Sequence, residues 1–372
     1  MQITCDSNSF LAAFNLASAV APARSPKPIL RNVRMEVSGE GLCTLMATDL
    51  EIGVRVEVSG VEVGQPGDVL LPVDRFGQIL RESKDAKLTI ESDEGKVLVR
   101  SNYSSFKLPS ADAAEYPSVA GFEGEQYHTI PARTLVELIR RTAFAADTDS
   151  ARYALGGVML ELNENEALAV ATDGRRLATV GAAANSVNGH NTDGKTVIVP
   201  IRAVKLIERA LADCECDVQI LARNNDVLVK AGGVTIFSRL VEGRFPKWRD
   251  VFPRLPGYVK LELPVEPFHA AVRQAAIVTS DESRGVDFKF GDGKVILSAK
   301  SAESGLSRVE LPIAYDGPWL DITLDPRYFG DFLKAVSSGT FSLEVLNEES
   351  AAVCSTDDGY RYVIMPLARD KK

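Results

Sequence analysis

The chain has 372 residues, of which 45% are apolar and 25% charged, a composition typical of a folded globular protein with enough apolar material for several cores. Its net charge of −9 argues against a uniformly basic nucleic-acid-binding protein. No apolar run reaches the length of a membrane span, and Met1–Asp6 lacks a secretory signal pattern, so a cytoplasmic protein is expected. The five cysteines show no zinc-type spacing, and free thiols are predicted.

The predicted elements repeat three times along the chain. A first helix is predicted in each third from two apolar residues spaced four positions apart. These pairs are Phe10 and Phe14, Leu135 and Ile139, and Phe268 and Val272. A second helix is predicted in each third, at 72–84, 200–209 and 326–336, because a proline suits the first turn of a helix. Apolar and polar residues alternate between the helices, which predicts antiparallel strands.

The chain is therefore predicted to be an α+β protein of three repeated domains, each with two helices and antiparallel sheets. The predicted domains are 1–123, 124–256 and 257–372, with boundaries at Gly121–Gly124 and Pro253–Gly257. The repetition alone leaves open whether the three domains form a line or a more symmetric arrangement.

Charge is divided unevenly between the predicted helices and the rest of the chain. Five helical segments carry twelve basic and six acidic residues, so the remainder must carry −15 for the total to be −9. A basic helical surface can contact phosphates without reading the base sequence. The alternative is that these residues are ordinary solvated side chains, some of them placed near helix C-termini by the helix dipole.

The sequence lacks the common catalytic, nucleotide-binding and metal-binding motifs. Its three histidines, His128, His190 and His269, are predicted to lie far apart. The segment Asp147–Ser150 begins like a calcium loop but lacks the later glycine and glutamate, so a turn is predicted there. A binding protein with no catalytic site, cofactor or metal is favoured. An enzyme built on repeated α+β units is the alternative.

The most specific motif is Ala171–Ala178, which reads Ala-Thr-Asp-Gly-Arg-Arg-Leu-Ala. It resembles a signature of the bacterial DNA sliding clamps, the beta subunits of the replicative DNA polymerase III holoenzyme, in which the position of Arg175 is usually histidine. Further similar segments are Pro28–Leu30, Val197–Pro200, Leu240–Pro246, Arg284–Val286 and Tyr362–Leu367. The resemblance implies a homodimeric ring of six similar units. Its helices would line a hole that encircles double-stranded DNA, and it would tether the replicative polymerase as a processivity factor. A ring-forming scaffold that does not encircle DNA is a second alternative.

The resemblance also implies a hydrophobic pocket in which the replicative polymerase, the clamp loader, and repair and translesion polymerases bind through short peptides. By position the pocket would use Arg152, Leu155, Thr172, Gly174, Arg175, Leu177, Pro246, Val251, Val363 and Met365, with Ala352 as a weaker member. From the residues alone, Asp173 and Gly174 are simply a tight turn between strands. Arg175 and Ala154 depart from the family pattern, and the cation of Arg175 would favour acidic residues on a partner peptide.

Two further sets of contact residues are predicted. DNA contacts are assigned to the helix residues Arg81, Arg141, Arg202, Lys205 and Arg209, and the resemblance adds Arg24 and Tyr153. The contact between two chains is assigned to the apolar residues Phe106, Leu108, Ile277 and Val278. A head-to-tail contact that closes after two copies makes a ring.

Overall fold

The computed structural model describes residues 1–93, 95–148, 153–253, 256–280 and 283–368. The chain divides into two compact units, each assembled from separate stretches of sequence. The first unit is Met1–Val136, Leu162–Asn165 and Ala184–Leu240, and the second is Glu137–Glu161, Glu166–Ala183 and Val241–Lys372.

The described residues contain six α-helices, two in each third of the chain, as predicted. They are α1 (Ser7–Ser18), α2 (Val73–Glu82), α3 (Ala132–Thr142), α4 (Ile201–Leu211), α5 (Val265–Ala275) and α6 (Pro326–Ala335). The carboxylates of Asp6 and Asp325 cap α1 and α6 by accepting main-chain N–H groups of the first turn. Among the described residues, no helix is long and apolar enough to cross a membrane.

The described residues form nine strands in each of the first two thirds of the chain and eight in the last third, which has one strand fewer between its two helices. In the first third they are β1 (Gln2–Asp6), β2 (Asn32–Val37), β3 (Cys43–Thr48), β4 (Ile52–Val58), β5 (Val61–Gln65), β6 (Gly67–Pro72), β7 (Lys87–Asp93), β8 (Lys96–Arg100) and β9 (Ser105–Pro109). In the second they are β10 (Tyr127–Pro131), β11 (Gly157–Asn163), β12 (Glu166–Thr172), β13 (Arg176–Ala183), β14 (Asn185–Val187), β15 (Val197–Pro200), β16 (Asp217–Ala222), β17 (Asp226–Ala231) and β18 (Val234–Arg239). In the third they are β19 (Val259–Pro264), β20 (Val286–Gly291), β21 (Lys294–Ser301), β22 (Gly305–Pro312), β23 (Leu320–Leu324), β24 (Thr340–Val345), β25 (Ala352–Ser355) and β26 (Arg361–Ile364).

The first unit contains two antiparallel sheets. One has the order β5-β1-β7-β8-β9, and the other has the order β14-β10-β16-β17-β18-β4-β3-β2-β6. In the larger sheet, β18 of the second repeat pairs with β4 of the first, with Ile236 opposite Val54. Two sequence repeats therefore share one continuous sheet.

The second unit has the same kind of junction between the second and third repeats. Its larger sheet contains β11-β12-β13-β26-β25-β24-β19 in this order, and its smaller sheet has the order β22-β21-β20-β23. Strand β26 pairs with β13, with Val363 opposite Leu177. By position in the repeat, β13 is the equivalent of β4 and β26 is the equivalent of β18.

The cores include helix residues that the apolar spacing predicted, among them Phe10, Phe14 and Phe268. In the first unit the rings of Phe10 and Phe14 pack on Phe76, with centroid distances of 6.0 and 5.1 Å. In the second unit the rings of Phe268 and Phe329 are 5.2 Å apart and both are fully buried. Burying an aromatic side chain of this size stabilises the fold by about 1.5–3 kcal/mol.

The cysteines partly contradict the prediction of free thiols. Cys5, Cys43 and Cys354 are buried free thiols, and burial raises the pKa of Cys5 and of Cys43 to about 12. Cys214 and Cys216, however, form a disulfide in the turn after α4, where their Cα atoms are 5.5 Å apart. This separation lies within the range that a disulfide spans, and the sequence spacing alone did not reveal that the turn would provide it.

Candidate binding sites

The motif at 171–178 forms a hydrogen-bonded turn between β12 and β13. The hydroxyl of Thr172 donates to the carbonyl oxygen of Arg176 at 2.6 Å and accepts the N–H of Gly174 at 3.0 Å. One carboxylate oxygen of Asp173 accepts the N–H groups of Arg175 and Arg176 at 2.9 and 3.0 Å. Gly174 has a φ of 87°, a conformation that glycine adopts without strain. The turn therefore holds the backbone of Arg175 in one position.

The side chain of Arg176 bonds this turn to neighbouring segments. Its guanidinium donates to Asp173 at 3.0 Å and to Asp331 at 2.8 Å, and it lies over the ring of Tyr328 at 4.4 Å. A third donor bonds to the carbonyl oxygen of Phe144. Arg176 stabilises the turn because its guanidinium forms ion pairs with two carboxylates and a cation–π contact with an aromatic ring.

A cavity of about 830 Å³ opens beside the turn. Its lining residues are Ala146, Asp147, Thr148, Asp173, Gly174, Arg175, Arg176, Arg284, Arg327, Tyr328 and Asp331. Most of them are charged, whereas the predicted pocket is apolar, and only Gly174 and Arg175 belong to the predicted set. The prediction of one hydrophobic pocket made of all ten residues therefore does not describe this cavity.

The remaining predicted pocket residues divide into two groups. Leu155, Thr172, Leu177 and Val363 are buried, as is Ala352, so they contribute to packing rather than to an open surface. Pro246, Val251 and Met365 are exposed, and the last two keep 38% and 44% of their surface accessible. Arg152 lies outside the described residues. The exposed apolar surface available to a partner is thus smaller than the surface that the ten predicted residues were expected to provide.

Met365 lies directly against the turn. Its main-chain N–H donates to the carbonyl oxygen of Arg175 at 2.8 Å, and the N–H of Leu367 donates to Thr323 at 2.9 Å. The bond to Arg175 extends the pairing of β26 with β13 beyond the end of the strand. The partly exposed side chain of Met365 is consequently held next to the charged cavity.

Most of the residues predicted to contact DNA lie in the first unit and are exposed. Arg24, Arg81, Arg202, Lys205 and Arg209 are all exposed, although Arg202 also pairs with Asp49 at 2.8 Å. The side chain of Tyr153 lies outside the described part of the chain. Five of the seven predicted side chains are therefore accessible to phosphates.

Arg141 is a correction to the predicted DNA contacts. It is 6% exposed, and its guanidinium pairs with Glu137 at 2.7 Å and with Asp358 at 2.5 Å. It also lies 5.3 Å from the ring centre of Tyr360, whose hydroxyl donates to the carbonyl oxygen of Arg141. A guanidinium with these partners offers almost no surface to a phosphate, so Arg141 is a structural residue.

The predicted interface residues are exposed or half-buried apolar side chains. Phe106 lies on the edge strand β9, and Ile277 is 78% exposed just after α5, while Leu108 and Val278 are half-buried. Two residues that the prediction missed are similarly prominent. Tyr103 is 94% exposed beside β9, and Leu306 is 71% exposed on β22. Their marked exposure, rather than a sequence motif, distinguishes them.

Two histidines that were predicted to be far apart are in contact. The Nδ1 atoms of His128 and His190 are 2.6 Å apart, and both side chains are buried. His128 Nε2 is 2.6 Å from the carbonyl oxygen of Asn163, and the N–H of Ala222 donates to His190 Nε2 at 3.2 Å. In the described part of the chain no group of three or more potential ligand residues could hold a metal ion, and the histidine pair is bonded to main-chain atoms instead.

Three family models of the DNA polymerase III beta subunit match successive parts of the chain. The N-terminal domain matches residues 1–120, the central domain matches 129–247, and the C-terminal domain matches 249–368. The three matches follow the order of the three repeats.

Relatives with the same domain order cover nearly the whole chain. The beta sliding clamp of Pseudomonas putida is 30% identical over 371 residues, which is 99% of this chain and 100% of the relative. The beta sliding clamp of Escherichia coli is 28% identical over 370 residues, with the same coverage. A crystal structure of a sliding clamp from Pseudomonas aeruginosa bound to griselimycin has a TM-score of 0.92 and 28% identity, over 99% of this chain and 100% of that one. The chain therefore belongs to the family of DNA polymerase III beta subunits, the bacterial DNA sliding clamps.

Proposed function

We propose that this protein is a DNA sliding clamp, a processivity factor that closes as a homodimeric ring around double-stranded DNA and tethers the replicative polymerase. The observation that carries the proposal is the repeated sheet junction: β18 pairs with β4, and β26 pairs with β13. In both junctions the last strand of one repeat pairs with the fourth strand of the repeat before it. The domains proposed for this assembly are 1–123, 124–256 and 257–372.

Two strands that occupy these junction positions in the repeats, β9 and β22, have no such partner strand among the described residues. In the first repeat the last strand is β9, and in the third repeat the equivalent of β4 is β22, and both lie at the edges of their sheets. Exposed edge strands pair readily with another chain. Pairing β9 of one copy with β22 of a second copy would repeat the internal junction, and two such contacts would close a ring.

The surface around these two edges supports the same contact. Tyr103 and Phe106 are exposed at β9, and Ile277 and Leu306 are exposed at the other edge. The hydroxyl of Ser307 donates to the carbonyl oxygen of Ala275 at 2.7 Å, which holds β22 against the end of α5. Large exposed apolar side chains of this kind mark interaction surfaces. Leu108 and Val278 complete the proposed interface from half-buried positions.

The exposed cations of α2 and α4 supply the proposed contact with DNA. Arg81, Arg202, Lys205 and Arg209 project from these two helices of the first unit, and Arg24 is exposed in the loop after α1. Phosphate contacts from flexible cations are weak, salt-dependent and independent of sequence. A ring that holds DNA topologically needs no stronger contact in order to slide.

The proposed partners bind at the turn that carries Arg175. These are the replicative polymerase, the clamp loader, and repair and translesion polymerases. The exposed side chains of Pro246, Val251 and Met365 offer apolar contact near a charged cavity, and the related clamp from Pseudomonas aeruginosa binds griselimycin. The protein is proposed to have no catalytic site of its own and to act on chromosomal DNA in the cytoplasm.

Salt-dependent retention on DNA tests the proposal. The protein is loaded on nicked circular DNA by the clamp loader of the same cell, and the retained fraction is measured over a range of salt concentrations. Replacing Arg81, Lys205 and Arg209 by alanine should reduce the salt dependence of binding, by a slope of about 0.9 for each phosphate that the protein no longer neutralises. The matched control replaces Lys87, Arg223 and Lys260, which are exposed cations outside the helices. An equal effect of both triple changes would contradict the proposed DNA surface.

A further inference from the structure

The turn at Arg175 has a counterpart in the first repeat with the same hydrogen bonds. The hydroxyl of Thr48 donates to the carbonyl oxygen of Ile52 and accepts the N–H of Leu50, as Thr172 does in the second repeat. One carboxylate oxygen of Asp49 accepts the N–H groups of Glu51 and Ile52, as Asp173 does. Leu50 has a φ of 80°, close to the 87° of Gly174. Among the described residues, this turn therefore occurs in both the first and the second repeat.

The two turns differ in the charge that they present. Glu51 occupies the position of Arg175, so the turn accepts either sign of charge at this point and does not itself require an arginine. In both turns the main-chain N–H of the facing strand donates to the carbonyl oxygen of this residue, from Arg239 to Glu51 at 2.9 Å and from Met365 to Arg175 at 2.8 Å. Arg239 and Met365 are therefore equivalent positions.

This equivalence shows where the charge of each turn is compensated. In the first turn, the carboxylate of Glu51 lies 3.9 Å from the guanidinium of Arg239. In the second turn, Met365 replaces the charged partner, and Arg175 has no ion pair among the described residues. The charge of Arg175 is thus left at the rim of the cavity on a backbone that the turn holds fixed.

Several other charges around the cavity are paired within the protein. Arg176 pairs with Asp173 and Asp331, and Lys334 lies 3.6 Å from Asp331. Arg327 pairs with Asp325 at 2.8 Å. Inside the cavity an extended polyanion would meet both signs of charge, since the carboxylates of Asp147, Asp173 and Asp331 line it together with Arg284 and Arg327, whereas one carboxylate could approach Arg175 at the rim.

We propose that Arg175 selects partner peptides that carry an aspartate or glutamate beside their apolar residues. The apolar residues would contact the exposed side chain of Met365, and the acidic residue would pair with Arg175 in the charged cavity. The inference rests on the proposed function, because it names the chemistry of the peptides that this clamp takes. A fixed cation at the edge of an interface contributes more to selecting a partner than to total affinity.

Two fluorescein-labelled synthetic peptides test the proposal. Both contain the same leucine and phenylalanine residues, flanked by aspartate in one peptide and by asparagine in the other. Full-length protein should bind the aspartate peptide at least about threefold more tightly at low salt, and the preference should shrink as salt is added. Arg175→Gln should remove the preference, and Arg175→Glu, which copies the charge of Glu51, should reverse it. Arg75→Gln, which removes another exposed cation, is the matched control and should leave the preference unchanged.

The possible failures are distinguishable. If both peptides bind the full-length protein equally, the peptide site of the proposed function stands and the role of Arg175 is overturned. If neither peptide binds, the proposed partner site and this inference both fall. If the preference persists in Arg175→Gln, another cation is responsible and the inference is wrong. A single-stranded oligothymidylate that displaces the aspartate peptide from the protein, but not from Arg175→Gln, would assign the site to phosphate instead.

Discussion

Arg141 and Asp358 form an ion pair of 2.5 Å although 217 positions separate them in sequence. The pair joins α3, in the central-domain match, to the turn before β26, in the C-terminal match. Arg141 also donates to the hydroxyl of Ser337 at 3.0 Å. One buried guanidinium therefore links three segments of the second unit.

Replacing Arg141 by methionine should lower the free energy of unfolding by about 2–4 kcal/mol, because it leaves the groups around the side chain without their partner. Burial raises the pKa of Asp358, but the bonds from Thr356 and Arg141 outweigh this effect and hold that pKa below its ordinary value of 3.8. The stabilisation is therefore present above about pH 4 and is lost as the pH falls through the lower folded-state pKa. Urea unfolding at about pH 7 and pH 3 would measure it, with Arg133→Met, exposed on the same helix, as the control. Equal stability of both variants at neutral pH would contradict the assignment.

The His128–His190 pair should make the first unit sensitive to acid. Burial is the main reason that the pKa of His190 lies below 6.5, and the charges of His128 and Lys195 lower it further, although the carbonyl oxygen of Ala222, which can accept a bond from the charged ring, opposes them. A histidine with a lowered folded-state pKa favours the folded state above the unfolded pKa, and this contribution is lost as the pH falls below about 6.5. The hydrogen-exchange protection of the Ala222 amide should therefore fall between about pH 8 and pH 5. Leu228, on the neighbouring strand β17, serves as the reference amide, and unchanged protection of Ala222 relative to it would refute the prediction.

Removing apolar side chains at the proposed interface should weaken the dimer. The double change Leu108→Ala and Ile277→Ala removes one side chain from each edge, and burial of such side chains contributes about 1.5–3 kcal/mol each. The dissociation constant should rise about a hundredfold or more, since the two losses together amount to about 3–6 kcal/mol and each 1.4 kcal/mol is about a factor of ten. Sedimentation over a concentration series would measure the change. Leu42→Ala, exposed elsewhere in the first unit, should have no effect, and a wild-type protein that is monomeric at micromolar concentration would rule out the interface.

The C-terminal residues should be required for partner binding. Met365→Ala removes an exposed apolar contact, and deletion of 365–372 also removes the main-chain bond to Arg175. A central apolar contact typically contributes about 2 kcal/mol or more, so peptide affinity should fall about thirtyfold or more. Fluorescence titration with the leucine- and phenylalanine-containing peptides would measure the loss, and sedimentation should show an intact dimer. Undiminished peptide affinity in the truncated protein would mean that the partner site lies elsewhere.

The sequence predicted the repeated architecture well because its signals are local. Phe10 and Phe14 lie one helical turn apart, and the same spacing recurs at Phe268 and Val272, so the helices could be recognised without knowing their neighbours. The alternating strands were recognisable for the same reason. The assignment of all three histidines to separate places failed because His128 and His190 meet through strand pairing that no local pattern encodes.

The binding sites were harder to predict because they depend on which side chains the fold covers. Arg141 and Arg209 look alike in a count of helix charges, yet Asp358 and Tyr360 cover the first while the second remains exposed. Leu177 and Val363 suit an apolar pocket by composition, but they face each other across two paired strands and are buried. The motif identified the turn, and only the structure shows that its neighbouring cavity is charged.

Topological retention on DNA tests the central claim most directly. The protein is loaded on nicked circular DNA, excess protein is removed at moderate salt, and half of the sample is then cut once with a restriction enzyme. A closed ring should remain on the circle and slide off the linear molecule, because phosphate contacts alone are weak at that salt concentration. Retention on the circle with release after cutting is the predicted result. Equal retention on circular and linear DNA, or no retention on either, would contradict the account of this protein as a sliding clamp.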